Sequence, residues 1–481
     1  MKRRLFIVSI ALAATAMMSI LGYFILSGAA ANRQAQNLKP INDSALVYNN
    51  AVSAIRSADN AVLSISKTQE TTVRERTFLE ITQQELSYQD LGTDDFCAEL
   101  AETLTIDSHS VEIQEAYTGG TAFVALGDGR FSAQLTQEDY LSRFAPAILL
   151  DAQLYGSITG INTGDGYTIS FKDPSAPEAW ALGPGCELSE ATGTAYVSYD
   201  GQLEKSIYAV SYTRENVDYR QTVIVTLMDS SGSIELPTET TQYTAIEYFD
   251  GPRQLERATG YLLQAQDVSA VYEDSTYFQA FGDKCDKEIT LHTHRDEAWS
   301  ARVDTIETLT NDSRIDQASK QHKTELFANN QYSVSTNDAA AVVNPEISVN
   351  EMYSYCRNLL VSTVMLPQHI AGAQMTETDG IQRITFSGNE AFAALISSNT
   401  CQVLYKEPEM LNSLAQSSNT DTLECYLEVD SSTGLPVSSG ILYNGTYMIE
   451  GLPYQLAFQA DQTYDLLSDT AFDAINKAAG T

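Results

Sequence analysis

Positive charge is scarce in this chain. Its 481 residues hold 28 Lys and Arg against 63 Asp and Glu, a formal net charge of −35. Nucleic acid is excluded as a partner, because binding a phosphate backbone requires clustered basic residues. Cysteine is also sparse, at six residues with no CxxC pair, which rules out zinc-ribbon and thioredoxin-like chemistry and a disulfide-built scaffold. Histidine occurs five times. No HExxH, GxSxG, P-loop or strand-linked GxGxxG is present, so no metalloprotease, serine-esterase or nucleotide-binding signature is available. Charged residues make up 19% and hydrophobic residues 43%, the balance of a folded chain and not of a disordered one.

Only the N-terminus carries a long apolar run. Lys2, Arg3 and Arg4 precede 22 uncharged residues, 5–26, enough to cross a bilayer core of about 30 Å as a helix. The basic residues stay cytoplasmic, and the bulk of the chain is expected outside the cytoplasm. Residues 1–31 therefore read as a signal or single-pass membrane anchor. Ala29, Ala30 and Ala31 offer a cleavage site, so secretion after cleavage near Ala31 stands as the alternative.

The remainder reads as a duplicated, strand-rich unit. Gly166–Phe171, followed by Cys186, is echoed by Gly380–Phe386, followed by Cys401. The two phenylalanines and the two cysteines are each 215 residues apart. Asp165 and Asp379 precede the two glycines, and helix-like stretches near 138–150 and 349–365 precede each block. Strands of similar rhythm follow, one from Ala195 and one from Cys425. Asp43 or Ser44 can cap an opening helix with Tyr48, Val52 and Ile55 on one face. A second opening helix spans 253–264. Alternation at Leu423, Cys425, Leu427 and Val429, and at Tyr219, Gln221, Val223, Val225 and Leu227, marks antiparallel strands with one buried face. Gly127-Asp128-Gly129 and Asn444-Gly445 read as hairpin turns. The expected division is an anchor at 1–31, a first β-rich unit at 43–233, a linker at 234–250 and a second unit at 251–470.

This order of helix, strands, middle helix and closing strands resembles the lipoprotein-carrier superfamily of LolA- and LppX-like proteins. The resemblance rests on the opening helix with Tyr48, Val52 and Ile55, the strand starts at Asp165-Gly166 and Asp379-Gly380, and the closing strands. It implies an α+β fold of two tandem curved antiparallel sheets, or half-barrels, packed with helices, each leaving an apolar cavity. Ser27 and Gly28, where a lipidated cysteine would stand, and the fusion of two copies depart from that family.

Three constellations invite chemistry. His292 and His294 share a strand face with Asp296 nearby, but structural metal sites nearly always have four ligands and no further one is identifiable. Ser64-Ile65-Ser66-Lys67 fits SxxK without the companion motif such enzymes need. Cys401 and Cys425 flank neighbouring elements and could close a disulfide, which leaves Cys186 to a partner such as Cys97. No catalytic residue, cofactor or metal is assigned. The sequence favours a membrane-anchored, non-catalytic binding protein that holds an apolar ligand such as a lipid acyl chain. An envelope sensor or adaptor that binds protein partners is the alternative, and an exported hydrolase the third.

Overall fold

The computed structural model describes residues 39–56, 58, 60–143, 155–174, 186–228, 234–238, 240–295, 298–312, 318–390 and 419–479. No helix among them is long and apolar enough to cross a membrane, and the anchor expected at 1–31 lies outside them.

Two large curved sheets, antiparallel but for one short strand, make up most of the fold. In the first unit, helix α1 (Ser44–Arg56) is followed by a meander of β2 (Asn60–Val73), β3 (Arg76–Gln89), β4 (Cys97–Ile106), β5 (His109–Thr118), β6 (Thr121–Leu126) and β7 (Gly129–Gln134). After the six-residue helix α2 (Gln137–Ser142) comes a second meander of β8 (Tyr155–Asn162), β9 (Gly166–Pro174), β10 (Cys186–Ser198), β11 (Leu203–Arg214) and β12 (Val217–Met228). The last strand returns to the first, β12 pairing with β2. Short strands β1 (Lys39–Pro40) and β13 (Thr244–Ala245) finish the two edges, β13 running parallel to β7.

The second unit repeats this path. Helix α3 (Gly251–Gln264) leads into β14 (Val268–Phe278), β15 (Asp283–Arg295), β16 (Trp299–Asn311), β17 (Ser319–Ala328), β18 (Gln331–Thr336) and β19 (Val342–Val343). Helix α4 (Val349–Leu360) then leads into β20 (Ile370–Thr378), β21 (Ile381–Gly388), β22 (Asn419–Asp430), β23 (Pro436–Ile449) and β24 (Leu452–Asp465), and β24 pairs with β14. Helix α5 (Ala471–Ala479) packs on β15, β16 and β17. Gly166 opens β9 and Gly380 sits in the turn just before β21, and the two strands hold the same place in the two paths.

The local chemistry explains the meanders. Several hairpins turn on two residues at positive φ: Arg74-Glu75, Glu215-Asn216, Asn329-Asn330 and Glu450-Gly451. That geometry matches the twist of the strands it joins. Fully buried and half-buried positions alternate along β4, where Ala98, Leu100, Leu104 and Ile106 face inward. Asp43 caps α1 by accepting from the Leu46 amide at 3.1 Å, and Tyr48, Ala51, Val52 and Ile55 are buried beneath it.

Two expectations are corrected. Helices are few among the described residues, so the fold expected as α+β is mostly β-sheet. The Asn444-Gly445 pair is not a turn. Both residues lie inside β23, paired with β22 and β24, and neither has positive φ. The Tyr443 ring lies over Gly445, where a Cβ would meet the Tyr443 hydroxyl at 2.1 Å. The glycine is there for its missing side chain, and the hairpin turns at Glu450-Gly451 instead.

The segment read as a linker joins the two sheets. The Ile246 amide donates to Ser132 O (2.9 Å), and the Glu247 and Tyr248 amides donate to Ala373 O (3.1 and 2.9 Å). Ile246 and Phe249 are buried, and one hydrophobic cluster runs through both units. Helix α3 lies between the sheets and touches β4 and β5 of the first as well as β20 and β23 of the second. Gly260 allows the close approach, since a Cβ there would stand 2.7 Å from that of Ile106.

Candidate functional site

On the inner face of the first sheet, the strands change character along their length. In β2, Ala61, Leu63 and Ile65 are buried, and the next inward positions are Lys67 and Gln69. In β3, Phe78 is followed by Glu80, Thr82 and Gln84 before Leu86 and Tyr88 restore the apolar face. Pairing lines these residues up in rows: Tyr208, Val223, Lys67 and Thr82 in one, then Val210, Gln221, Gln69 and Glu80, then Tyr212, Tyr219 and Thr71. A cavity of about 570 Å³ lies against these polar rows. That is within the ordinary range of small-molecule sites, about 300–1,000 Å³.

The second unit supplies the opposite wall. Arg253, Gln254, Arg257 and Tyr261 reach in from α3, and Gln382 and residues 429–434 come from β21, β22 and the following turn. Arg253, Arg257 and Tyr261 are spaced four apart, which puts them on one stripe of the helix.

A buried ion network anchors that stripe. The Glu115 side chain is wholly buried and accepts from Arg143 Nη1 (2.8 Å), Arg143 Nη2 (3.0 Å) and Arg253 Nη2 (2.5 Å). Arg253 also donates to Glu102 (3.1 and 3.2 Å) and to Asp250 (2.9 Å), and Arg143 reaches Asp250 at 2.7 Å. Nearer the cavity, Arg257 Nη2 donates to Glu80 Oε1 (2.9 Å) and the Tyr261 hydroxyl to Glu80 Oε2 (3.1 Å).

Burial opposes ionisation of Glu80, Glu115 and Asp250, but the neighbouring cations outweigh it and hold all three carboxyls below their ordinary values. Arg257 and Lys67 do this at Glu80, and Arg253 and Arg143 at Glu115 and Asp250. Lys67 is lowered too, but in a lysine that disfavours the charged form. Burial lowers its ammonium, Arg257 adds to the shift, and Glu80 and Glu102 resist it. Tyr212 and Tyr219 stack with centroids 4.7 Å apart, and burial pushes the Tyr219 hydroxyl up to about 12.

The residues singled out in the sequence lie elsewhere, with one exception. Lys67 of the SxxK match faces the cavity, while Ser64, three positions earlier on a strand, faces the other side. His292 Nδ1 is bonded to Ser269 Oγ at 2.8 Å and His294 Nδ1 to Asp267, so each imidazole is already engaged; Asp296 lies outside the described residues. Cys425 is buried in β22, and its proposed partner Cys401 lies outside the described residues. Cys97 and Cys186 are free thiols, which corrects the pairing suggested for Cys186. Sequence reading passed over Glu80, Glu102, Glu115, Arg253 and Arg257. Their signal was polar residues recurring in the inward register of otherwise apolar strands.

No family model matches this chain, and no curated protein matches it. Among solved structures it is similar to LprF from Mycobacterium bovis, at 10% identity over 41% of this chain and 98% of that one, with a TM-score of 0.25. A putative AttH from Nitrosomonas europaea is similar at 10% identity over 84% of this chain and 92% of that one, with a TM-score of 0.13. These are weak likenesses of strand arrangement and carry no information on ligand or activity.

Proposed function

We propose that this is an exported binding protein, held at the outer face of the membrane by residues 5–26, that carries one amphipathic small molecule in the cavity between its first sheet and helix α3. In this proposal the two units are half-barrels, spanning about 43–233 and 251–470. The observation that carries the reading is the cavity of about 570 Å³, with Ile65, Tyr208, Val210 and Val223 beside polar rows on the same sheet face. The apolar part of the ligand, a lipid acyl chain for instance, lies on those four side chains and gains about 25 cal/mol per Å² buried. The polar part meets Lys67, Gln69, Thr82 and Gln221. Catalysis fits the site less well. Glu80 and Asp250 are held ionised by arginines, which suits them to clamping a helix and not to donating a proton.

Native mass spectrometry of the full chain, ejected from detergent micelles and followed by solvent extraction, tests this. A reproducible co-purified molecule that is lost in Val210→Glu is the expected result. An unliganded mass that stays unchanged after incubation with lipid overturns the proposal and favours a protein-binding adaptor.

A further inference from the structure

We infer that the ligand of this cavity is an acid, its carboxylate or phosphate group held by Lys67 with Arg257 as second donor, and with Arg214 as a further positive position beyond the tyrosine row. The inference rests on the binding function proposed above and specifies its ligand class.

The cations of the cavity divide into two sets. Arg143 and Arg253 are fully engaged by Glu102, Glu115 and Asp250. Lys67 and Arg214 line the cavity, and among the described residues neither makes an ion pair. The Nε atoms of Arg214 and Arg257 are buried without a hydrogen-bond partner. One cavity acid lies outside the arginine network, Asp430, and its Oδ1 is taken up by the amides and hydroxyls of Ser432 and Thr433. Lys67 and Arg214 therefore share one recess without a carboxylate in ion-pair contact, in a protein whose net charge is −35.

Burying an unpaired cation is expensive, and a sheet position such as Lys67 would be more stable with an apolar residue. A bound anion resolves the conflict. It supplies the charge that Lys67 lacks and an acceptor for Arg257 Nε. Between Lys67 and Arg214 run Gln69, Gln221 and the stacked Tyr212 and Tyr219, a strip suited to the uncharged body of the ligand.

Matched amphiphiles test the inference on the full chain in non-ionic detergent: hexanoate, hexanol and inorganic phosphate, measured by titration calorimetry. Hexanoate is expected to bind about tenfold more tightly than hexanol, the size of a charge-assisted hydrogen bond. Lys67→Met should erase that difference by weakening hexanoate far more than hexanol, with its thermal transition confirming the fold. Equal binding of the two, or a difference that survives in Lys67→Met, overturns the anion seat and leaves the binding function standing. Silence from all three probes removes both. If phosphate competes with hexanoate, a free anion suffices as ligand. If it does not, the seat takes an anion only with an apolar body attached, as in a lipid.

Discussion

Glu115→Gln probes the clamp between the units. The substitution keeps the shape of the side chain and removes a charge shared by Arg143 and Arg253, which approach it at 2.8, 3.0 and 2.5 Å. One carboxylate oxygen becomes an amide facing guanidinium donors, and two buried cations keep only Glu102 and Asp250. Breaking a buried pair in this way costs about 3–5 kcal/mol. An unfolding entropy of about 2.1 cal/mol/K per residue gives roughly 0.9 kcal/mol/K for residues 39–479 and roughly 0.4 for the first unit alone. If α3 locks the units into one cooperative block, calorimetry shows one transition lowered by about 3–5 °C. If the first unit melts separately, its transition falls by about 8–12 °C and the other stays in place. A change below about 1 °C in either case refutes the claim that this network holds α3 on the first sheet.

The same carboxylates set an acid limit. Glu80, Glu115 and Asp250 titrate below their ordinary values of 4.5, 4.5 and 3.8, so their stabilisation is complete above those values and is lost as pH falls through the folded ones. Thermal melts should be flat from neutrality to about pH 5 and fall steeply in stronger acid, and equal stability at pH 3 and pH 7 would contradict this. Gly445→Ala should cost about 1–3 kcal/mol in urea unfolding, because its Cβ would stand 2.1 Å from the hydroxyl of a fully buried Tyr443. A neutral result there would return Asn444-Gly445 to an open turn. Cys97 and Cys186 should alkylate in the native protein, whereas Cys285, Cys356 and Cys425, buried with thiols pushed up by that burial, should react only in denaturant. A cross-linked Cys401–Cys425 peptide in a non-reducing map establishes that pair, and complete alkylation of Cys425 without reductant excludes it.

Much of the fold was legible because strand alternation is a local signal and the two strand paths share short sequence blocks. Tyr48, Val52 and Ile55 marked α1, and the matched blocks at Gly166 and Gly380 marked equivalent strands. The errors have physical causes. Asn-Gly satisfies two demands, positive φ in a turn and an absent side chain beneath a ring, and only the position of Tyr443 separates them. The cavity was harder to see, because its residues come from six strands of the first unit and from a helix, two strands and a turn of the second. Lys67 was noticed for the wrong partner. Its meaning comes from Glu80 and Gln221, which pairing places in the neighbouring row and which lie far from it in sequence.

The two opening helices differ in what they cover. Helix α1 packs on β8, β10 and β11 of its own sheet. Helix α3 keeps the equivalent contacts, on β20 and β23, and adds β4 and β5 of the other sheet. The outward face of α1 carries Asn50 and Ser53, which need no partner in water. The corresponding stripe of α3 carries Arg253, Arg257 and Tyr261, each meeting a glutamate on the first sheet. A helix that only covered its own sheet would not need those residues, and a sheet that stood alone would not place Glu80, Glu102 and Glu115 in its buried register. The two sets make physical sense only together. The cavity is thus a property of the fused pair, with its floor from the first copy and its roof from the second, and neither copy expressed alone should retain the ligand.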